Sequence, residues 1–388
     1  MKDIEISKNI KYIGADDKTI DLFESQFDVP NGMSYNSYLI KDDKNVVMDT
    51  IDRRKTEEWV ENLERELNGE KVDYLLVSHM GPDHTCNIGL LAEKFPEMKI
   101  IGNDKTFTMM KQFFDIPNLD ERKLVVKEGD KLNVGEHTLC FYMAPMVHWP
   151  EVMVTYEESE KILFSADGFG KFGALDTDED WACEARRYYF NICGKYGAQV
   201  QALLKKAAGL DIKMICPLHG PILKDNLEYY IGKYDVWSKY EPEDEGIFIA
   251  YASIHGNTEN AAKELKEMLE RKGAKKVSIA DLSREDMHEA VEDAFRYDKL
   301  VLMASSYNMG VFPPMEQFLN HLIGKNFQNR KVAIVENGTW APSSGRCMKE
   351  AIEKMKDITI IGQTVTIKSK LNNESRAALE NLADSIIK

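Results

Sequence analysis

The chain has few of the features that mark membrane, secreted or nucleic-acid-binding proteins. No apolar run approaches the roughly 20 residues that a bilayer-spanning helix needs, and the stretch Met1-Lys2-Asp3-Ile4-Glu5 lacks the apolar core of a signal peptide. Positively charged residues are also outnumbered: the chain has 50 Lys and Arg against 65 Asp and Glu, which gives a formal net charge of −15. Such a surface attracts neither nucleic acid nor anionic membrane. We therefore expect a cytoplasmic protein that binds neither.

Cysteine is scarce as well, with 6 residues in a chain of 388. No two of them form a Cys-x-x-Cys pair, which argues against a tetrathiolate zinc or iron site. A chain of this length does not need disulfides for stability. We predict that the cysteines are small buried hydrophobic residues.

The length allows two or three domains, and the strand and helix pattern changes at an acidic, proline-containing stretch, residues 239–245. Before it, we predict a hairpin of strands 38–40 and 45–49, a helix over 56–67, and strands 72–77, 139–143, 162–165 and 213–216. After it, strands 247–252, 276–280, 299–303, 331–335 and 359–361 alternate with helices, the first over 257–272. This rhythm predicts an open parallel sheet with helices on both faces. The predicted domains are residues 1–244 and 245–388.

Histidines and aspartates follow several of the predicted strands in the first domain. Imidazole and carboxylate without thiolate suit iron, manganese or zinc. Four imidazoles and two carboxylates are too many for one tetrahedral ion, so two ions sharing a bridging carboxylate fit better. Such a pair can hold both ends of a small diatomic molecule. The candidate ligands are His79, Asp83, His84, His148, Asp167 and His219.

The second domain carries a loop suited to a flavin phosphate, the run Ser-Ile-His-Gly-Asn-Thr at 253–258. Its hydroxyls and the backbone N–H groups at the start of the following helix can bind phosphate. A plain helix N-cap at Asn257 or Thr258 is the alternative. Later loops at 305–310 and 337–342 should open at the same edge of the sheet, where Tyr307 and Trp340 offer aromatic faces to a flavin ring.

The cofactor predicted for this edge is FMN, because the second domain has no Gly-x-Gly-x-x-Gly run for an adenine dinucleotide. The loops that would bind it each follow a predicted strand, so they meet at one edge of the sheet. The predicted FMN-binding residues are Ser253, His255, Gly256, Asn257, Thr258, Ser305, Tyr307, Asn308, Gly310, Asn337, Gly338 and Trp340.

Residues 78–84, Ser-His-Met-Gly-Pro-Asp-His, together with His-Trp-Pro at 148–150, resemble the metal-binding sequence of the metallo-β-lactamase fold. With the flavodoxin-like second domain, and with Tyr-Asn-Ser-Tyr at 35–38 and Arg-Tyr-Tyr at 187–189, the chain resembles the flavodiiron proteins (A-type flavoproteins) along essentially its whole length. The resemblance implies an α/β protein: an N-terminal metallo-β-lactamase-like αββα sandwich followed by a flavodoxin-like doubly wound parallel sheet.

The same resemblance implies a function and an assembly. One iron would be held by His79 and His148, the other by Asp83, His84 and His219, and Asp167 would bridge them. Electrons from FMN would pass to this non-haem di-iron pair and reduce O2 to water, NO to N2O, or both. A separate rubredoxin or flavin reductase would be the electron donor. The protein would be a head-to-tail homodimer, which brings the FMN of one chain near the irons of its partner.

Gly81 departs from the pattern of the family that the chain resembles. Flavodiiron proteins typically carry His-x-Glu-x-Asp-His and the hydrolases His-x-His-x-Asp-His, whereas glycine offers no side-chain ligand. The first metal should therefore be more labile, have a higher reduction potential, or both. Two other functions stay open: a zinc hydrolase of the metallo-β-lactamase type, and a flavoprotein whose metal site is impaired.

Overall fold

The computed structural model describes residues 4–388, so Met1, Lys2 and Asp3, which begin the segment tested for a signal peptide, lie outside the described residues. The chain divides into two compact units. The first is Met1–Tyr189 with Ala198–Tyr234, and the second is Phe190–Gly197 with Asp235–Lys388. The division at 244/245 stays a prediction.

Two β-sheets form the first unit. One has the strand order β1-β6-β7-β8-β9-β10 and the other runs from β11 to β15 in sequence order, while β2 pairs with β5 and β3 with β4. The strands are β1 (Ile10–Tyr12), β2 (Ala15–Asp17), β3 (Leu22–Phe23), β4 (Phe27–Asp28), β5 (Met33–Tyr35), β6 (Tyr38–Ile40), β7 (Val46–Met48), β8 (Tyr74–Leu76), β9 (Lys99–Gly102), β10 (Lys123–Val125), β11 (Lys131–Asn133), β12 (Thr138–Met143), β13 (Met153–Glu157), β14 (Ile162–Phe164) and β15 (Met214–Cys216).

The core of the first unit lies between these sheets. Tyr38 and Ile40 of one sheet pack in the same buried cluster as Phe141 and Phe164 of the other. Since strand side chains alternate between faces, the opposite faces remain for helices, and the result is the predicted αββα sandwich. The helices are α1 (Thr56–Leu67), α2 (Pro82–Thr85), α3 (Ile88–Lys94), α4 (Asp104–Phe113), α5 (Leu119–Arg122), α6 (Trp181–Ile192), α7 (Gly197–Ala207) and α8 (Leu227–Ser238), with a 3-10 turn at Arg53–Lys55. A second 3-10 turn, Gly194–Tyr196, belongs to the second unit.

Several predicted elements of this unit are confirmed. The hairpin of β6 and β7 is antiparallel, and α1 has the predicted bounds because Trp59, Leu63 and Leu67 recur at helical spacing and are buried. The strands predicted to precede the candidate ligands are present as β8, β12, β14 and β15, each within three residues of its predicted ends.

The second unit is built on one parallel sheet of order β17-β16-β18-β20-β21, with β22 beside β20 and a short antiparallel β19 beside β18. This is the flavodoxin-like order, in which ligands bind at the carboxyl edge where the winding direction reverses. The elements are β16 (Asp244–Ala252), α9 (Asn257–Arg271), β17 (Val277–Asp281), α10 (Met287–Arg296), β18 (Tyr297–Tyr307), β19 (Gly310–Val311), α11 (Pro313–Gly324), β20 (Gln328–Asn337), α12 (Ser344–Ile352), β21 (Lys356–Ile360), β22 (Val365–Ile367) and α13 (Asn373–Ile387).

Helices cover both faces of this sheet, as predicted. Ile249 of β16 packs with Leu265 of α9 and Leu379 of α13 in one buried cluster. Its neighbour Phe248 points to the other face, where its ring lies 6.4 Å from that of Phe318 in α11. Alternate side chains of β16 therefore pack against helices on opposite faces of the sheet.

Two further sequence expectations can be compared with the structure. Cys140, Cys193 and Cys216 are buried, Cys86 and Cys347 are half-buried, and Cys183 is exposed. The expectation of buried cysteines is thus wrong for Cys183, which lies on the exposed side of the first turn of α6, and holds only in part for Cys86 and Cys347. In the described part of the chain, no helix has the length and apolar character to cross a membrane.

Candidate metal and cofactor sites

The six candidate metal ligands converge in the first unit as two groups of three. His79, His148 and Asp167 form the first group, and Asp83, His84 and His219 form the second. Within each group, one nitrogen or oxygen atom from every residue lies within 4.8 Å of the others. The strand ends bring together residues that are up to 140 positions apart, because all of them follow strands or open helices at one edge of the sandwich.

Asp167 lies between the two groups. Its Oδ2 is 3.5 Å from His79 Nε2 and 3.2 Å from His148 Nε2. Its Oδ1 is 3.4 Å from His84 Nε2 and 3.8 Å from His219 Nε2. Each carboxylate oxygen thus faces one pair of imidazoles, which is the arrangement that a bridging carboxylate requires.

The second group is closely spaced. Asp83 Oδ2 lies 3.2 Å from His84 Nε2 and 3.2 Å from His219 Nε2. The two imidazole Nε2 atoms are 3.0 Å apart. The His84 side chain therefore points into this group.

Hydrogen bonds on the far side of two imidazoles fix which nitrogen faces the centre. His79 Nδ1 lies 2.9 Å from Glu151 Oε1, and His219 Nδ1 lies 2.7 Å from the carbonyl oxygen of Ser34. Both partners accept a proton from Nδ1, which leaves the Nε2 lone pair free to bind a cation. Glu151 is buried and also accepts from the Met80 amide at 2.7 Å. Sequence reasoning missed it, although it directly follows the quoted His-Trp-Pro run.

Charge at the centre is finely balanced. Burial opposes protonation of His79, but Asp167 and Glu151 outweigh it and raise the pKa of His79 to about 9. Burial would likewise raise the pKa of Asp167, yet His79, His148 and His84 hold that pKa well below its usual range. The carboxylates thus stay ionised, and the positive charge that they attract can be supplied by protons or by a metal cation.

Gly81 lies beside both groups. A Cβ atom at this position would lie 2.7 Å from His79 Nε2 and 2.7 Å from Asp83 Oδ1. Its backbone, with φ −50° and ψ 132°, is open to any residue. Glycine is therefore required here by the space that the two neighbouring side chains occupy.

The centre opens to a cavity of about 490 Å³. Aromatic rings pack around the ligands: those of Phe23, Tyr35 and Tyr188 lie 5.4, 5.7 and 5.7 Å from the ring of His219. The arginine–tyrosine–tyrosine run singled out in the sequence thus contributes Tyr188 to the wall. Other residues of the wall had no predicted role, among them Glu24, Arg54, Cys86 and Trp149.

This donor set fits a pair of metal ions. It combines imidazole and carboxylate donors, of which four are buried and two, His148 and Asp83, are half-buried. Within the described residues, Asp167 Oδ1 is buried without a hydrogen-bond partner, a state that costs free energy unless a cation satisfies the oxygen. The chemistry of the donors suits iron, manganese or zinc.

The second unit has a cavity of about 390 Å³ at the carboxyl edge of its sheet. α9 begins here after Gly256, whose φ of +85° favours glycine, and no described side chain caps its N-terminus. The alternative of a plain N-cap at Asn257 or Thr258 is therefore wrong. The free N–H groups of the first turn can receive an anion.

Ten of the twelve residues predicted to bind FMN line this cavity, and two do not. Gly256 instead forms the turn before α9, and the carbonyl of Gly310 accepts a hydrogen bond from the Ser343 hydroxyl. Trp340 and Met309 are 89% and 69% exposed, the highest values among large hydrophobic residues in the described chain. Cavity residues that sequence reasoning missed are Ile254, Ser306, Met309, Thr339, Ala341, Ser343 and Ser369.

The two regions match known families. The family described as ODP family beta lactamase matches residues 33–220, and the flavodoxin family matches residues 249–364. The anaerobic nitric oxide reductase flavorubredoxin of Aliivibrio fischeri is 30% identical, over 87% of this chain and 70% of the relative.

Solved structures agree over nearly the whole chain. The rubredoxin oxygen:oxidoreductase from the anaerobe Desulfovibrio gigas has a TM-score of 0.91 and 25% identity, covering 99% of this chain and 97% of that one. A mutant of the Flavo Di-iron protein from Thermotoga maritima has a TM-score of 0.87 and 25% identity, covering 97% of this chain and 96% of that one. Two units in this order, with a six-residue centre in the first and an open helix N-terminus in the second, show that the chain belongs to the flavodiiron protein family.

Proposed function

We propose that this protein is an oxidoreductase that reduces O2 to water, NO to N2O, or both, at a di-iron centre supplied with electrons by FMN. The observation that carries the proposal is the position of Asp167, whose two oxygens face separate groups of imidazoles. The relatives with similar folds are named for nitric oxide reduction and for oxygen reduction with rubredoxin.

In this proposal, His79 and His148 would hold one iron, Asp83, His84 and His219 would hold the other, and Asp167 would be shared between them. When bound, the iron pair would bind the diatomic substrate and the flavin would supply electrons one at a time. Glu151 keeps the Nε2 lone pair of His79 turned to the centre. The rings of Phe23, Tyr35 and Tyr188 pack around that of His219.

FMN would lie in the cavity of the second unit, with its phosphate at the start of α9. The hydroxyls of Ser253 and Thr258 lie in the wall at that point, where they can donate to phosphate oxygens. Tyr307 and Trp340 line the same cavity from the two later loops. Their rings offer apolar faces to the isoalloxazine ring.

We infer two kinds of partner. A rubredoxin or a flavin reductase donates the electrons, and the names of the relatives favour a rubredoxin. A second copy of the chain completes a homodimer, with the head-to-tail arrangement expected from the family. The exposed Trp340 and Met309 beside the flavin cavity support an interface there, since large apolar side chains are enriched in such contacts.

The flavodoxin-like unit and Gly81 both argue against a zinc hydrolase. Hydrolysis needs no electron carrier, and the hydrolases carry a histidine where this chain has glycine.

The test begins with protein made with ample iron and purified without oxygen. We expect about two irons and one FMN per chain, and consumption of O2 or NO on an electrode once reduced donor is added. Asp167→Ala is the matched control, because it should lose iron and turnover while FMN remains. Wild-type protein that holds FMN but one iron or none would refute the di-iron proposal.

A further inference from the structure

The two groups of the metal centre differ in their negative charge. Each includes one share of Asp167, but the second group has the carboxylate of Asp83 as well. The first group has only the imidazoles of His79 and His148, and Gly81 has no side chain to offer. Its ion would be left with few anionic donors in a buried site, which is costly for a divalent cation.

Two further carboxylates line the same cavity, those of Asp52 and Glu24, and Asp52 Oδ1 is paired with Arg54 Nε at 3.2 Å. Glu24 lines it together with His79, Gly81, His148 and Asp167. Its carboxylate has one long hydrogen bond among the described residues, 3.4 Å from Gln26 Nε2. The group is therefore available to a cation in the cavity.

The charged groups that shift the pKa of Glu24 belong to residues of the metal centre. Burial raises the pKa of the Glu24 carboxyl, and His148 opposes this rise, while Asp83 and Asp167 add to it. Glu24 is exposed as a residue, yet burial has the largest effect on the pKa of its carboxyl. Among the neighbouring charged groups, His148 of the first group has the largest effect on the pKa of Glu24.

The chain at Glu24 adopts a turn that few side chains favour. Glu24 and Ser25, between β3 and β4, have φ values of +49° and +58°. Non-glycine residues in the left-handed region cost free energy and recur at functional sites. On one side of the turn Phe23 is buried with its ring 5.4 Å from that of His219, and on the other Phe27 packs against Phe172. These contacts hold the tip of the hairpin at the centre.

We propose that Glu24 is a ligand of the metal held by His79 and His148, where it replaces the carboxylate that Gly81 cannot provide. The inference rests on the proposed di-iron function. It assigns the missing donor to a hairpin more than 50 residues away from the ligand run. It also restores the negative charge of the first site, so a higher reduction potential is no longer required by Gly81.

The test uses the full chain freed of metal by a chelator and titrated with Co²⁺. Wild-type protein should bind two Co²⁺ per chain. Glu24→Gln keeps the size of the side chain and removes its charge, so it should bind one Co²⁺ as wild type does and the other at least about tenfold more weakly. The visible d–d absorption of the weaker site should also change, because a ligand has been lost. Asp21→Asn, an equal change of charge before β3, is the matched control and should leave both unchanged.

Each outcome has one meaning. Unaltered affinity for both ions in Glu24→Gln overturns the inference. Weaker binding with an unaltered absorption spectrum also overturns direct ligation, because it would show an effect of charge alone. Fewer than two Co²⁺ in the wild-type chain would instead overturn the proposed di-iron function, and with it the inference. The second site reports folding in the same sample, since it should stay filled.

Discussion

At the scale of single residues, Gly81 matters because the structure leaves little space for a side chain at its position. The space where a Cβ would lie is occupied by His79 Nε2 and Asp83 Oδ1, each at 2.7 Å. A glutamate at this position would need both ligands to move. The side chains of the metal centre are therefore arranged around Gly81, and Gly81→Glu is not expected to improve metal binding.

Substitution of Gly81 by alanine, which adds only a Cβ atom, tests this steric role. We expect Gly81→Ala to fold normally, since φ −50° suits alanine, but to lose at least one iron per chain because His79 or Asp83 must turn away. Iron analysis after anaerobic purification measures this. Gly89→Ala is the control, because its Cβ would meet no atom within 4 Å and should leave iron unchanged. Full iron content in Gly81→Ala would show that the ligands adapt without loss.

The candidate ligands could be predicted from sequence because each follows a strand or opens a helix, where a short motif fixes local position. Glu151 and Glu24 could not be predicted in this way. Glu151 meets a partner 72 residues away, and Glu24 reaches the cavity only through the β3–β4 turn. Their roles depend on tertiary packing that no local pattern encodes.

At the scale of elements, the start of α9 combines a glycine turn with an uncapped helix N-terminus. Thr258 in the first turn is buried, and its hydroxyl lies 2.9 Å from that of Ser305 at the end of β18. This contact ties two loops of the cavity together. The strand-loop-helix pattern was readable from sequence, whereas β22 and the following Ser369 were missed because a three-residue strand carries little periodicity.

We expect Thr258→Val to weaken FMN binding by about tenfold to a hundredfold. Valine keeps the shape and removes the hydroxyl, and a hydrogen bond to a charged phosphate contributes about 1.5–3 kcal/mol. Titration of flavin-free protein by FMN fluorescence measures the affinity. Thr258→Ser keeps the hydroxyl and should bind nearly as wild type does. Equal weakening in both variants would mean that packing, rather than the hydroxyl, matters.

A second element-scale feature joins the two sheets of the sandwich. His137, between β11 and β12, has Nδ1 at 2.6 Å from Asp42 Oδ2 in the β6–β7 turn and Nε2 at 3.2 Å from Glu160 Oε1. Burial opposes the charge of His137, but Asp42 and Glu160 outweigh it and raise its pKa. Burial would raise the pKa of Asp42 too, yet hydrogen bonds from His137 lower it to about 2.

The pH dependence follows from these shifts. A raised histidine pKa stabilises the fold fully below the unfolded value of about 6.5 and loses this effect as pH rises through the folded pKa. We expect the loss of unfolding free energy in His137→Gln to be largest near pH 5 and to shrink by pH 9, measured by urea unfolding. Burial and Lys325 lower the pKa of His321, so His321→Gln should not show this decline. A pH-independent difference for His137→Gln would contradict the ion-pair explanation.

At the scale of the whole molecule, the second unit takes part of its core from a distant piece of chain. Phe190 is fully buried, and its ring stacks on that of Phe295, with centroids 4.2 Å apart and planes at 12°. Near it, Lys325 Nζ donates to the carbonyl of Asn191, and Asn326 Nδ2 donates to that of Lys195. The segment Phe190–Gly197 is thus an integral part of this unit.

We expect Phe190→Ala to lower the unfolding free energy of the second unit by about 3–5 kcal/mol, the usual effect of emptying an aromatic core position. Urea unfolding followed by release of FMN fluorescence reports this unit. Phe190→Leu retains most of the volume and should lose clearly less. Unchanged stability in Phe190→Ala would mean that the second unit does not depend on this segment.

The route of the chain limits how such a protein can be recombined. A single junction at residue 244 would transplant a flavin unit that lacks Phe190, whereas a single junction at residue 190 would carry His219 away from the other metal ligands. An exchange of the flavin unit between relatives must replace Phe190–Gly197 and Asp235–Lys388 together and keep Ala198–Tyr234 in place. Because segments of the two units alternate along the chain, chimeras built by end-to-end fusion should fail.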